Sequence, residues 1–300
     1  MGWITEPWHY AFFRHGVLAA VMAGALCGLV GVYVVLRRLS AIGHGLAHAV
    51  FGGAVVGYSL GSSLYVFGGL WCAMSVLVIN AVSRARRVGG DAAIGIVTTG
   101  SFALGVAVIS RGHSFTRNFD AALFGNVLGV TSTDLWILAA VTLATAAAVF
   151  LSYQRLLFVT FDEETAATFG VPTRVIDVGF SVVLAAAIVA TMRVLGVTLI
   201  ASAIVTPAVA ARLTSRSFGR VLAISVVIGG FCGLAGMYVS YFYDVASGAT
   251  ITLVATALFA IVYALTAVRN VWRARPVPSS PSSAAASRGP LVVAPLATQD

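Results

Sequence analysis

The chain has 300 residues, of which 59% are hydrophobic and only 9% charged. A soluble domain carries about 25% charged residues, and so much apolar surface is at home in a bilayer rather than in water. All 18 of its basic Lys/Arg positions are arginine, behind a formal charge of +8; with no lysine to reach a nucleotide's phosphates there is no P-loop, and no clustered basic face interleaved with aromatics speaks for nucleic acid.

A spanning helix needs about 20 mostly apolar residues. The first such run, 14–36, is too long for the apolar part of a signal peptide and is closed by Arg37 and Arg38, so it reads as a membrane helix. Eight more follow at 41–60, 64–83, 91–110, 133–151, 175–192, 194–213, 219–242 and 249–268. The fold class is therefore all-α, a polytopic bundle of about nine transmembrane helices in one membrane domain over 1–275. Only Met192 and Arg193 interrupt 175–213, which places the turn there. The segment 118–132 is apolar but short, and lies in the interface or re-enters. Residues 276–300, rich in Pro, Ser and Ala without helical period, read as a disordered tail.

Under nine crossings, Arg37, Arg38, Arg84, Arg86, Arg87, Arg155, Arg174, Arg212, Arg216, Arg220, Arg269, Arg273 and Arg275 share one side. Arg14, Arg111, Arg117 and Arg193 fall on the other. The positive-inside rule makes the richer side cytoplasmic, with the N-terminus outside and the tail inside, and the arginines meet lipid headgroups. Cys27, Cys72 and Cys232 are scattered through apolar runs and read as small buried hydrophobes rather than a disulfide or zinc framework. The 31 glycines lie mostly inside the apolar runs, where they let helices approach closely.

The second segment carries His44 and His48, four apart and so on one helix face. Imidazole is the commonest metal-ligating side chain, and polar groups within a span are functional candidates by default. Ligation of a metal and hydrogen bonding within the bundle are both open from spacing alone. A zinc-protease motif is excluded because Gly45 stands where its general base would be. Gly57, Ser59 and Gly61 match the letters of a nucleophile elbow, but at the end of a helix rather than between strand and helix. Asp91 and Asp134 read as helix N-caps. Asp120, Asp177 and Asp244 read as structural, although Asp177 and Asp244 are placed where either could face an aqueous vestibule.

Between the fifth and sixth spans, Phe161, Asp162, Glu163, Glu164, Ala166, Phe169, Gly170 and Pro172 suggest a short amphipathic helix, stopped by Gly170 and Pro172; a docking element for a partner and an ordinary surface helix are both open from spacing alone. In the seventh span Thr206 precedes Pro207, which frees backbone groups and kinks the helix, so that a moving helix hinge and a static packing kink are both open.

Four motifs together, from about residue 12 to 268, resemble the permease subunits of manganese/zinc/iron-type ABC importers. They are Gly31–Arg38 leading into the His48 helix; Asp91–Ile96 followed by Phe102–Gly105; Phe161 through Pro172; and Gly196–Leu199 to Thr206–Ala208, with Ser247–Thr250 further on. The resemblance implies the type II ABC permease fold and a non-enzymatic transport subunit that dimerises with a like or different permease. It implies two cytoplasmic ATPases coupled through 161–172, and an extracytoplasmic solute-binding protein that delivers a divalent metal ion as cargo, with no permanent cofactor. In that family an Asp and a His four apart usually face the path. Here His48 matches the histidine and His44 stands in place of the Asp, so two protomers would present four imidazoles. Carboxylates suit manganese and imidazoles suit zinc, iron and copper, which tilts the expected cargo toward zinc; acid weakens such a site because ligating imidazole must be neutral. A permease for a metal chelate, such as a siderophore or corrinoid, is the alternative, and a metal-dependent membrane enzyme a more distant one.

Overall fold

The computed structural model describes residues 6–84, 89–111 and 123–273. The helices are α1 Ala11–Leu36, α2 Ser40–Ser59, α3 Leu64–Arg84, α4 Gly90–Arg111, α5 Ser132–Leu151, α6 Tyr153–Phe161, α7 Glu163–Thr168, α8 Thr173–Leu195, α9 Ile200–Thr214, α10 Phe218–Tyr243 and α11 Ser247–Arg273. Short 3-10 turns occur at Glu6–His9 and Val127–Gly129. The tail 276–300 and Asp120 lie outside the described residues. Helices cover most of each of the nine apolar segments read from the sequence, but 194–213 is broken by the turn at 196–199. Seven of the helices, α1, α2, α4, α5, α8, α10 and α11, are long and apolar enough to cross a membrane; the apolar stretches Leu64–Ile79 and Ile200–Thr214 are shorter. The chain is a multi-pass, all-α membrane protein.

Hydrocarbon cannot satisfy backbone polar groups, so each spanning segment must satisfy its own. Hydroxyls inside the helices follow the same rule: Thr142 donates to the Leu138 carbonyl at 2.7 Å and Thr191 to the Ala187 carbonyl at 2.8 Å. Packing centres on α1, which is buried along most of its length and crosses α10. Glycines set the closeness of that crossing. A Cβ on Gly24 would lie 2.1 Å from the Gly229 carbonyl oxygen, and one on Gly229 equally 2.1 Å from that of Gly24. The Ser225 hydroxyl donates across the same seam to the Gly28 carbonyl at 2.7 Å. Conversely, Trp136, Leu143 and Phe150 on α5 and Leu253, Ile261 and Leu265 on α11 are exposed, as suits helices that face lipid or another membrane chain.

The turn expected at Met192 and Arg193 lies further on. Helix α8 runs through both to Leu195, and Gly196, at φ 78°, ends it. Arg193 stays helical because its guanidinium has a partner: both carboxylate oxygens of Asp134 lie 2.7 Å from its Nη1. Two acid assignments also shift. Thr131 is the N-cap of α5 and Asp134 the third residue of a capping box, the Thr131 N–H donating to Asp134 at 2.9 Å. Asp91 lies in the first turn of a helix already begun at Gly90.

The described part of 118–132 forms no long helix, only the helical pair at 123–124 and the Val127–Gly129 turn before α5 begins, and its backbone is held by the bundle. Its Asn126 N–H donates to the Arg193 carbonyl at 3.0 Å and its Val127 N–H to the Ser247 hydroxyl at 3.0 Å, while the Thr198 hydroxyl donates to the Leu123 carbonyl at 2.7 Å. Irregular backbone within a membrane bundle is tolerated when protein supplies its hydrogen bonds. Close approach again depends on glycine: a Cβ on Gly248 would lie 2.3 Å from the carbonyl oxygens of both Leu195 and Phe124.

Candidate functional site

Helix α2 is wedged between α3 and α4. A Cβ on Gly52 would meet the Ser101 carbonyl oxygen of α4 at 2.2 Å, and one on Gly53 would meet Trp71 Cβ of α3 at 2.2 Å. At 100° per residue the two histidines occupy a third stripe beside the α4 contact. His44 is exposed and His48 half-buried, with its ring 5.1 Å from that of Phe102, edge to face. The two rings stand 4.7 Å apart at 84°, and their Nε2 atoms are 3.3 Å apart.

That separation admits a hydrogen bond between a neutral imidazole pair. It also fits one ion: two metal–nitrogen bonds of about 2.0–2.1 Å at a tetrahedral angle hold their nitrogens about 3.3 Å apart. His48 Nδ1 is buried without a hydrogen-bond partner among the described residues. Ligating histidines usually donate from their other ring nitrogen; no such second partner for His48 is present among the described residues. No group of three or more His, Cys, Asp or Glu forms a metal cluster among the described residues. A full ligand set therefore needs water or another chain.

The segment expected to dock a partner is two helices rather than one. Phe161 ends α6, and Asp162 caps α7 by accepting the Thr165 N–H at 2.9 Å. Ala166 is buried, whereas Phe161 and Phe169 are 66% and 76% exposed, so the aromatics face outward and not into the bundle. Glu163 and Glu164 are exposed on the same short helix; Gly170, at φ 79°, and Pro172, which precedes α8, end the excursion. The Asp162 carboxyl is held below the usual carboxylate range by the Thr165 hydroxyl and then by the Thr165 N–H.

Pro207 lies inside α9 and is buried. Its missing N–H leaves the Ala203 carbonyl without a helical donor, while the Thr206 and Ser202 hydroxyls stand 3.3 Å apart. Two polar links were not visible in the sequence. Arg37 at the end of α1 forms an ion pair with Asp177 of α8, and the partly exposed Asp177 carboxylate also lines a cleft beside the α1–α2 turn. The Tyr65 hydroxyl of α3 donates to Asp134 at 2.5 Å, joining α3 to the Asp134–Arg193 pair. Asp244 takes a left-handed conformation, φ 53°, as the C-cap of α10.

The multi-pass helical bundle is that of a transport permease, as the family it matches over most of its length shows. The chain belongs to the ABC 3 transport family, which is matched over residues 9–266. It is 33% identical over 270 residues to the manganese transport system membrane protein MntC of Halalkalibacterium halodurans, covering 89% of this chain and 92% of that one. It is 29% identical over 261 residues to the chelated iron transport system membrane protein YfeD of Yersinia pestis, covering 86% of each. Among solved structures, PsaBC from Streptococcus pneumoniae in complex with Fab superposes with a TM-score of 0.81 at 28% identity, covering 87% of this chain and 94% of that one.

Proposed function

We propose that the chain is the permease subunit of an ABC importer that moves divalent transition-metal ions, with His44 and His48 as its ligands on the translocation path. The observation that carries the site is the convergence of the two Nε2 atoms at 3.3 Å. Manganese and iron transport by the similar proteins supports the cargo class. The chain works as one membrane domain over 1–275, crosses nine times with its N-terminus outside, and ends in a cytoplasmic tail at 276–300. A second permease subunit brings a second imidazole pair, a solute-binding protein delivers the ion, and two cytoplasmic ATPases act through Phe161–Pro172, where outward aromatics beside acids suit a docking surface. Thr206 and Pro207 absorb the resulting movement of α9. With His44 in place of a carboxylate, the site favours zinc, which imidazole suits, over manganese. The chelate-permease reading draws support from the relative that handles chelated iron, but such a cargo has no need of converging imidazoles.

The test is cellular metal content by elemental mass spectrometry under metal scarcity. Cells lacking the protein are compared with cells carrying the wild type or the His44→Ala, His48→Ala double variant at equal expression. Wild type should restore one metal, and the double variant should restore at least about tenfold less of it. Equal restoration by both would keep the importer and dismiss the histidine site. No metal response, with restored uptake of a chelate, would replace the cargo.

A further inference from the structure

We infer that a cleft at the α6–α7 end of the bundle holds the phosphate headgroup of an anionic phospholipid. The cleft has a volume of about 450 Å³ and lies between the α1–α2 turn, the α6–α7 junction and the first turns of α8. Three guanidiniums line it. Arg37 is already engaged, ion-paired with Asp177 and lying 5.8 Å over the Phe180 ring. Arg38 and Arg174 have no ion pair among the described residues. The carboxylates of the lining are Asp177 and Glu163, which leaves one uncompensated positive charge.

The backbone makes Arg38 more telling. It sits at φ 57°, just past the end of α1. Glycine is the usual residue at such a helix end, since a Cβ is strained there. An arginine kept in a conformation that glycine would adopt freely implies a use for its side chain.

The site of the cleft selects a lipid over a soluble phosphate. It opens where α1, α2 and α8 end, all three long and apolar enough to cross a bilayer, and so lies at headgroup level. Leu36, Ile42 and Val178 give it an apolar wall. A phospholipid matches both halves: its phosphate accepts hydrogen bonds from planar guanidiniums, and its glycerol and first methylenes lie on the wall. Basic pockets between membrane helices bind anionic headgroups in this way. The inference rests on the membrane fold and not on the cargo or the histidines.

Native mass spectrometry of the full chain in neutral detergent tests it, with phosphatidylglycerol titrated against phosphatidylcholine. Phosphatidylglycerol should be retained in preference, and Arg38→Gln with Arg174→Gln should weaken it roughly tenfold. Arg38→Lys with Arg174→Lys should keep most of the binding, and Arg212→Gln with Arg216→Gln, which removes the same charge elsewhere, should keep all of it. In the wild type, phosphatidylglycerol should slow amide exchange in 36–42 and 174–184, a readout that needs no variant to fold. Equal weakening by the Arg212/Arg216 pair, or no protection of those segments, would overturn the site. Displacement by glycerol phosphate at matched concentration would overturn the lipid in favour of a soluble phosphate. Unchanged lipid retention with lost ATPase copurification in the Arg38/Arg174 variant would reassign the arginines to an acidic surface of that partner.

Discussion

Within one turn of α2, an exposed and a half-buried imidazole bring their Nε2 atoms to 3.3 Å. The pairing was legible from spacing alone, because residues four apart on a helix are neighbours. The Phe102 ring against His48 and the unpartnered Nδ1 were not, since they depend on where α4 packs and not on any local period. The same holds for Asp134. Its capping role was half visible in the Thr-Ser-Thr-Asp run, but its bonds to Tyr65 and Arg193 join three helices distant in sequence. The chemistry of the pair gives a selectivity prediction. His44→Asp restores a hard oxygen ligand and a negative charge, so competitive uptake should move toward manganese and away from zinc. Wild type and variant are compared with both ions present at equal concentration; an unchanged or opposite preference would remove His44 from the path.

At the scale of the element, the α6–α7 excursion shows why an amphipathic pattern can mislead. Phe161, Ala166 and Phe169 suggested one helical face, yet Asp162 breaks the run by capping a new helix, and only Ala166 turns inward. A cap residue overrides spacing because its side chain satisfies a donor that the helix start leaves free. The Asp162 carboxyl is held low by its bonds to Thr165. Its contribution to α7 is therefore present above the ordinary carboxylate range and disappears only as pH falls through that lowered value. Amide exchange of 163–168, corrected for intrinsic rates, should show constant protection from neutral to mildly acidic pH and a loss below it. Asp162→Ala should lose that protection at every pH. Asp162→Asn should keep the cap without the acid transition, since asparagine caps about as well. If Asp162→Ala leaves protection unchanged, the cap does not hold the helix.

For the molecule as a whole, hydropathy located the apolar helices, seven of them long enough to cross a membrane, because the apolar demand of a bilayer is local in sequence. It could not say which helix meets which, since a helix apolar all round has no face that names its partner. The end of α8 was misplaced for a related reason. Arg193 looked like a break in the apolar run, but a paired guanidinium can stay in a helix, and Gly196 supplies the actual stop. The glycines hold the missing packing information. Gly24→Leu would drive a side chain into the Gly229 carbonyl and should cost at least about 2 kcal/mol. Gly179→Ala, where a Cβ meets nothing within 4 Å, should be neutral or slightly stabilising. Thermal unfolding midpoints in detergent read both; equal shifts would mean that the α1–α10 crossing is not the constraint it looks to be.

That crossing also sets a timetable. Gly28 and the serine that bonds to it are 197 residues apart. At synthesis rates of about 5–20 residues per second, the seam on α1 waits on the order of ten to forty seconds for its other half. During that interval its glycine-lined groove lies open to lipid, to the insertion machinery or to another nascent chain. A chain stalled before α10 would carry a closely packed surface of the finished protein with nothing against it, a state that membrane quality control has reason to detect.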